Sequence, residues 1–141
     1  MEAQPTARVQ SNREPAMVKV RYDRERNTVI VEFEGNVDAE QAKQFFAALE
    51  KARPKPEKDF KLLTDFSLVD AMEFNVKREI EKAMDLFNSQ GVAEIIRVIP
   101  DANMDIGFNL MSASHYSKQI KVHTFRSRQE AEAHFGNEKT D

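Results

Sequence analysis

Short runs of alternating or β-branched residues take turns with segments whose apolar residues recur at helical spacing, and this alternation constrains the fold most. Val18, Val20 and Tyr22 alternate with Lys19 and Arg21. After a polar turn from Asp23 to Asn27, Val29, Val31 and Phe33 alternate with Ile30, Glu32 and Glu34, which completes a β-hairpin ending at Gly35. Asp38 with Gln41 has the form of a capping box. It opens a helix that carries Ala42, Phe45, Phe46, Leu49 and Ala52 on one face, until Pro54 and Pro56 stop it. Phe60, Leu62, Leu63 and Thr64 read as a buried strand. A second helix is expected from an N-cap at Asn75, with Val76, Ile80, Ala83, Met84 and Phe87 on one stripe and Gly91 at the C-terminal turn. Val92 to Ile99, closed by Pro100, is another buried strand. A third helix is expected from Ile106 to about Ser117, with Gly107 weakening its first turn. Ile120, Val122 and Thr124 form the last strand, and Ser127 with Glu130 caps a short helix through Phe135.

The order ββαβαβαβα predicts an α/β domain: a five-stranded mixed, mostly parallel sheet with an opening β-hairpin and four helices joined by right-handed crossovers. A length of 141 residues suits one domain. It is expected over residues 17–136, with a flexible N-terminal tail at 1–16 and a C-terminal tail at 137–141. Lysine and arginine total 21 against 24 acidic residues, so the formal charge of −3 argues against a general nucleic-acid binder. The absence of cysteine excludes disulfides, thiolate metal sites and a cysteine nucleophile, and fits a cytoplasmic location. No apolar run has the length of a membrane span, and the first residues lack the apolar stretch of a signal peptide.

Two segments carry more apolar surface than a sheet needs. On the third helix Met104, Phe108, Met111 and His115 share one line, and Ile106, Leu110, Ala113 and Ser117 the opposite one. We expect the first line to face outward as a contact stripe and the second to pack on the sheet. The segment Phe66–Phe74 holds Phe66, Leu68, Val69, Met72 and Phe74 in what reads as a connection after a strand's C-terminal end, where open α/β sheets place their binding sites. Asp65, Asp70, Glu73, Asp101 and Asp105 gather near the same ends, but lack a calcium-loop spacing and read as turn and cap residues. No Gly-rich phosphate loop, G-x-S-x-G elbow or H-E-x-x-H pair is present. The histidines at 115, 123 and 134 are widely spaced, His123 reading as an outward strand residue and His134 as the edge of the last helix's stripe. We therefore expect no enzyme activity, no cofactor and no metal.

The element order, the segment Asp65-Phe66-Ser67-Leu68-Val69-Asp70-Ala71-Met72-Glu73 and the ending Thr124-Phe125-Arg126-Ser127 with Glu130-Ala131 together resemble the STAS domain, above all its SpoIIAA-like branch. That family comprises anti-sigma-factor antagonists and the cytoplasmic domains of sulphate transporters. The resemblance implies a bacterial, cytoplasmic signalling module that is not an enzyme and binds a protein partner, an anti-sigma-factor-like regulator, through the loop and helix after the middle strand. In the antagonists this loop runs D-x-S-x-V-x-x-M-D-S-S-G, and a kinase phosphorylates the second serine of the pair. Asp65, Ser67, Val69 and Met72 match, Glu73 replaces the aspartate, and Phe74 and Asn75 stand where the serines would be. An amide accepts no phosphate, so the switch is expected to be missing. The expected contact residues are Asp65, Ser67, Met72, Glu73, Phe74 and Asn75 with Met104, Phe108, Met111 and His115. The alternative is a module for an apolar small molecule or lipid, with peripheral contact to membrane surfaces. The surplus apolar face also predicts a homodimer.

Overall fold

The computed structural model describes residues 17–52, 55–72 and 76–139. Strands β1 (Met17–Asp23) and β2 (Thr28–Val37) form the antiparallel hairpin. Asn27 closes its turn at φ 48°, a left-handed conformation that asparagine tolerates. Its side chain accepts from the Tyr22 hydroxyl at 2.6 Å and the Glu57 N–H at 3.0 Å, tying the turn to the loop before the next strand. Helix α1 (Ala39–Ala52) begins with the expected capping box. The Gln41 N–H donates to Asp38 Oδ1 at 2.9 Å and the Asp38 N–H to Gln41 Oε1 at 3.2 Å. Pro54 lies outside the described residues.

Strand β3 (Lys61–Met72) leads to α2 (Lys77–Ser89). This helix ends in a Schellman turn, with Val92 N–H on Phe87 O, Gly91 N–H on Asn88 O, and Gly91 at φ 89°. Strand β4 (Glu94–Val98), α3 (Ala102–His115), β5 (Lys121–Phe125) and α4 (Arg128–Lys139) complete the chain. The strands lie in the order β1-β2-β3-β4-β5, and every neighbour pair after the hairpin is parallel. Crossovers that share one hand and step one way place their helices on one face. Accordingly Val31, Phe33, Leu62 and Ile95 pack with Phe45 and Leu49 of α1, Met84 and Phe87 of α2 and Phe108 of α3.

Among the described residues the opposite face has only α4, whose Ala131 and Phe135 cover Ile30, Leu63, Ile96 and Val98. Charge takes over where its apolar cover ends. Arg128 donates to Glu32, Asp65 and Glu132, each at 2.9 Å, and Arg26 to Asp23 at 2.7 Å and Glu132 at 2.8 Å. Burial works against the Arg128 charge, but its bonds to Glu132, Glu32 and Asp65 outweigh that and raise its pKa. Burial likewise opposes ionisation of Glu132, yet Arg128 and Arg26 bring its pKa below the usual value.

Several elements differ from the sequence expectations. Strand β2 runs through Gly35 to Val37, and β3 continues to Met72, so most of the expected connection after Asp65 is strand. The β2–β3 register shifts between Glu32 and Glu34 and again between Gly35 and Asn36, which disrupts the period-two signal. Gly35, at φ 82°, supplies the backbone freedom this requires. The N-cap of α2 is Val76, without a side-chain bond, and Asn75 lies outside the described residues. Helix α4 extends past the boundary expected at 136.

Helix α3 begins at Ala102 rather than Ile106, capped by Asp101, whose carboxylate accepts from the Asn103 N–H at 2.8 Å. Its faces are the reverse of those expected: Phe108 is 4 % exposed, whereas Ile106 and Leu110 are 60 % and 70 % exposed. The reason lies beneath it. Arg97 of β4 is fully buried, and its guanidinium needs acceptors. It donates to Asn109 Oδ1 at 3.3 Å and to the Ser112 hydroxyl, which itself donates to the Phe108 carbonyl at 2.8 Å. Packing Ser112 inward brings Phe108 with it, against Phe66 at 4.8 Å between ring centroids.

Candidate functional site

At the C-terminal edge of the sheet β4 ends with Val98 opposite Asp65, while β3 continues against β2 until Met72 pairs with Val37. Residues 66–72 therefore project beyond the β3–β4 ladder. Asp65 anchors the base of this projection. Its Oδ1 accepts from the Ser67 N–H at 2.8 Å and the Ser67 hydroxyl at 2.6 Å, and its Oδ2 from Arg128. Asp65 and Ser67 thus hold one another and α4, while Leu68 stands 62 % exposed.

Between α2 and α3 lies an open groove of about 780 Å³, floored by Met72, Ile80, Met104 and Met111 and edged by Lys77 and Glu81. Three methionines give it an adaptable apolar surface. Three expected contact residues, Met72, Met104 and Met111, meet here. Phe108 contributes to the lining from a buried position, so it is a core residue and not the outward contact expected. Glu73, Phe74 and Asn75 lie outside the described residues. Leu68, which the sequence places in the surplus apolar segment without naming it a contact, is exposed, as are Ile106 and Leu110, expected on the sheet face. Leu68 is concealed by the bulged strand, and the other two by the two-sided apolar pattern of α3.

His115 joins the helices. Its Nδ1 lies 2.7 Å from Asp85 Oδ1 and its Nε2 3.0 Å from Glu81 Oε2, both on α2. The bonds to Asp85 and Glu81 raise its pKa above 6.5, against a small opposing effect of burial. A raised folded-state pKa adds stability that is fully present below the unfolded value and lost as pH rises through the folded one. Melts of wild type and His115→Gln between about pH 5.5 and 8 are expected to differ most at the acidic end and to converge upward. A constant difference would contradict the ion-pair role.

No protein-family model matches the sequence, and no curated protein matches it significantly. Solved structures do. An uncharacterized Shewanella loihica protein with a SpoIIAA-like fold superposes with a TM-score of 0.59 at 12% identity, over 89% of this chain and 97% of that one. The chain has the SpoIIAA-like fold. An anti-sigma factor antagonist from Mycobacterium paratuberculosis matches with a TM-score of 0.57 at 12% identity, over 85% and 93% of the two chains. The anti-sigma factor antagonist SpoIIAA in its unphosphorylated form gives 0.56 at 15% identity, over 85% and 98%. Within this SpoIIAA-like frame, no helix of the described residues is long and apolar enough to cross a membrane.

Proposed function

We propose that this SpoIIAA-like domain is a non-enzymatic regulator that binds a protein partner at the C-terminal edge of its sheet. The observation that carries the reading is the methionine-floored groove between α2 and α3, on a fold shared with anti-sigma factor antagonists. The β3 projection adds the exposed Leu68, and α3 the exposed Ile106 and Leu110. Ser67 is held by Asp65 and His115 by Glu81 and Asp85, so these two do not pair with one another as nucleophile and base. Position 75 is asparagine, so partner binding is not switched by phosphorylation there. The exposed face of α3 is also where a second copy would associate into a homodimer.

A photo-crosslinking side chain at Leu110 is expected to capture one discrete regulatory protein in the source cells, with Met104→Asp abolishing capture. Sedimentation is expected to show a dimer that Leu110→Asp weakens. The size and apolar floor of the groove favour one second reading, an apolar small molecule or lipid. Native mass spectrometry separates the two. A copurifying lipid mass, with no captured protein, would overturn the protein-partner reading in favour of ligand binding.

A further inference from the structure

We propose that Glu94, His123 and His134 form a binding site for one divalent transition-metal ion, with zinc the best-fitting example. Glu94 begins β4, His123 lies on β5 and His134 on α4, so three elements converge on the face that α4 covers. Glu94 Oε2 lies 2.9 Å from Nε2 of both histidines, and the three donor atoms are all within 4.8 Å of one another. Zinc bonds of about 2.0–2.2 Å to imidazole nitrogen and carboxylate oxygen place tetrahedral ligands roughly 3.4 Å apart. To admit the ion the histidine–carboxylate separations widen by about half an ångström, and the two imidazole nitrogens, within 4.8 Å of each other, adjust to the same spacing.

The surroundings suit a built site. Glu94 is 7 % exposed, and Lys61 Nζ lies 3.7 Å from its other oxygen, Oε1. The imidazole centroids are 4.6 Å apart, and the His134 ring rests against Phe125 and Phe135. Two imidazoles select against Mg²⁺ and Ca²⁺, which prefer oxygen ligands, and for zinc and its first-row neighbours. To bind the ion each Nε2 must present its lone pair, so protons compete with the metal and affinity weakens as pH is lowered. The bound ion would fasten α4 to the sheet edge at β5.

The test uses the tag-free, chelator-treated full chain, titrated with zinc chloride by calorimetry and with cobalt(II) by visible absorption. One ion per chain is expected. At a hundredfold excess over Kd, zinc should raise the melting temperature by roughly 5–10 °C, and magnesium and calcium should not. His123→Asn, His134→Asn and Glu94→Gln should each weaken zinc binding by at least about tenfold, with His115→Gln binding as wild type. His123 lies on an edge strand, so its variant carries the test if His134→Asn fails to fold. Absence of saturable zinc or cobalt binding by folded wild type, or unchanged binding by folded His123→Asn, would overturn the proposal.

Discussion

Phe108→Ala is expected to cost about 3–5 kcal/mol of folding stability, while Leu110→Ala on the same helix stays within about 0.5 kcal/mol of wild type. The Phe108 ring ends a chain of aromatic contacts that crosses the core. It meets Phe66 at 4.8 Å, Phe66 stacks on Phe33 at 4.8 Å, and Phe33 meets Phe45 of α1 edge-on at 5.2 Å. Truncation would leave a void between the Phe66 ring and the Arg97 guanidinium, which its bond to Ser112 holds in place, so the surroundings have little freedom to collapse. Leu110 is 70 % exposed and leaves no cavity behind. Urea unfolding of both variants measures the difference. A large loss for Leu110→Ala with little for Phe108→Ala would mean that α3 packs by its other face.

Arg128→Met is expected to cost about 2–4 kcal/mol near neutral pH, more than an exposed ion pair would, because it strands a carboxylate out of water. The Asp65 side chain is 10% exposed, and Arg128 is its only partner among the described salt bridges. Glu32 and Glu132 lose the same cation and keep only their outer partners, Arg21 at 4.0 Å and Arg26 at 2.8 Å. Arg128→Lys should recover only part of the loss, since an ammonium lacks the planar fork that reaches several acceptors.

The pH dependence identifies the cause. In wild type the lowered pKa values of Asp23 and Glu132 add stability present above their ordinary values of 3.8 and 4.5, and lost as pH falls through the folded ones. Arg128→Met removes one of the bonds that lower the Glu132 pKa, so the deficit should narrow on acidification. Melts at about pH 7 and pH 4 would show it. A deficit that does not change with pH would point to lost packing by the Arg128 stem.

How much of this was legible depended on the distance over which each feature is decided. The capping box at Asp38 and the glycine turn at Gly91 use bonds between near neighbours and occur as read, whereas at Ser127 the hydroxyl caps the Glu130 N–H but the Glu130 carboxylate accepts from the Arg126 N–H instead of closing the box. The bulged ends of β2 and β3 are hidden in the sequence because extra residues interrupt the period on which strand recognition rests. Helix α3 reads as two-sided in the sequence, but it begins at Ala102 and turns its Phe108 side inward.

The sequence by itself determined the element order, the hairpin, the parallel sheet and the α/β class, because periodicity and capping are local and crossover handedness leaves few topologies. Only the tertiary structure decided which side of α3 is buried, since that turned on the acceptors Arg97 requires from a different element. It also decided that Asp65 serves Arg128 across the sheet and that Glu94, His123 and His134 share a corner. These pairings join residues far apart in the chain, and no local pattern records which distant side chains the fold will bring together.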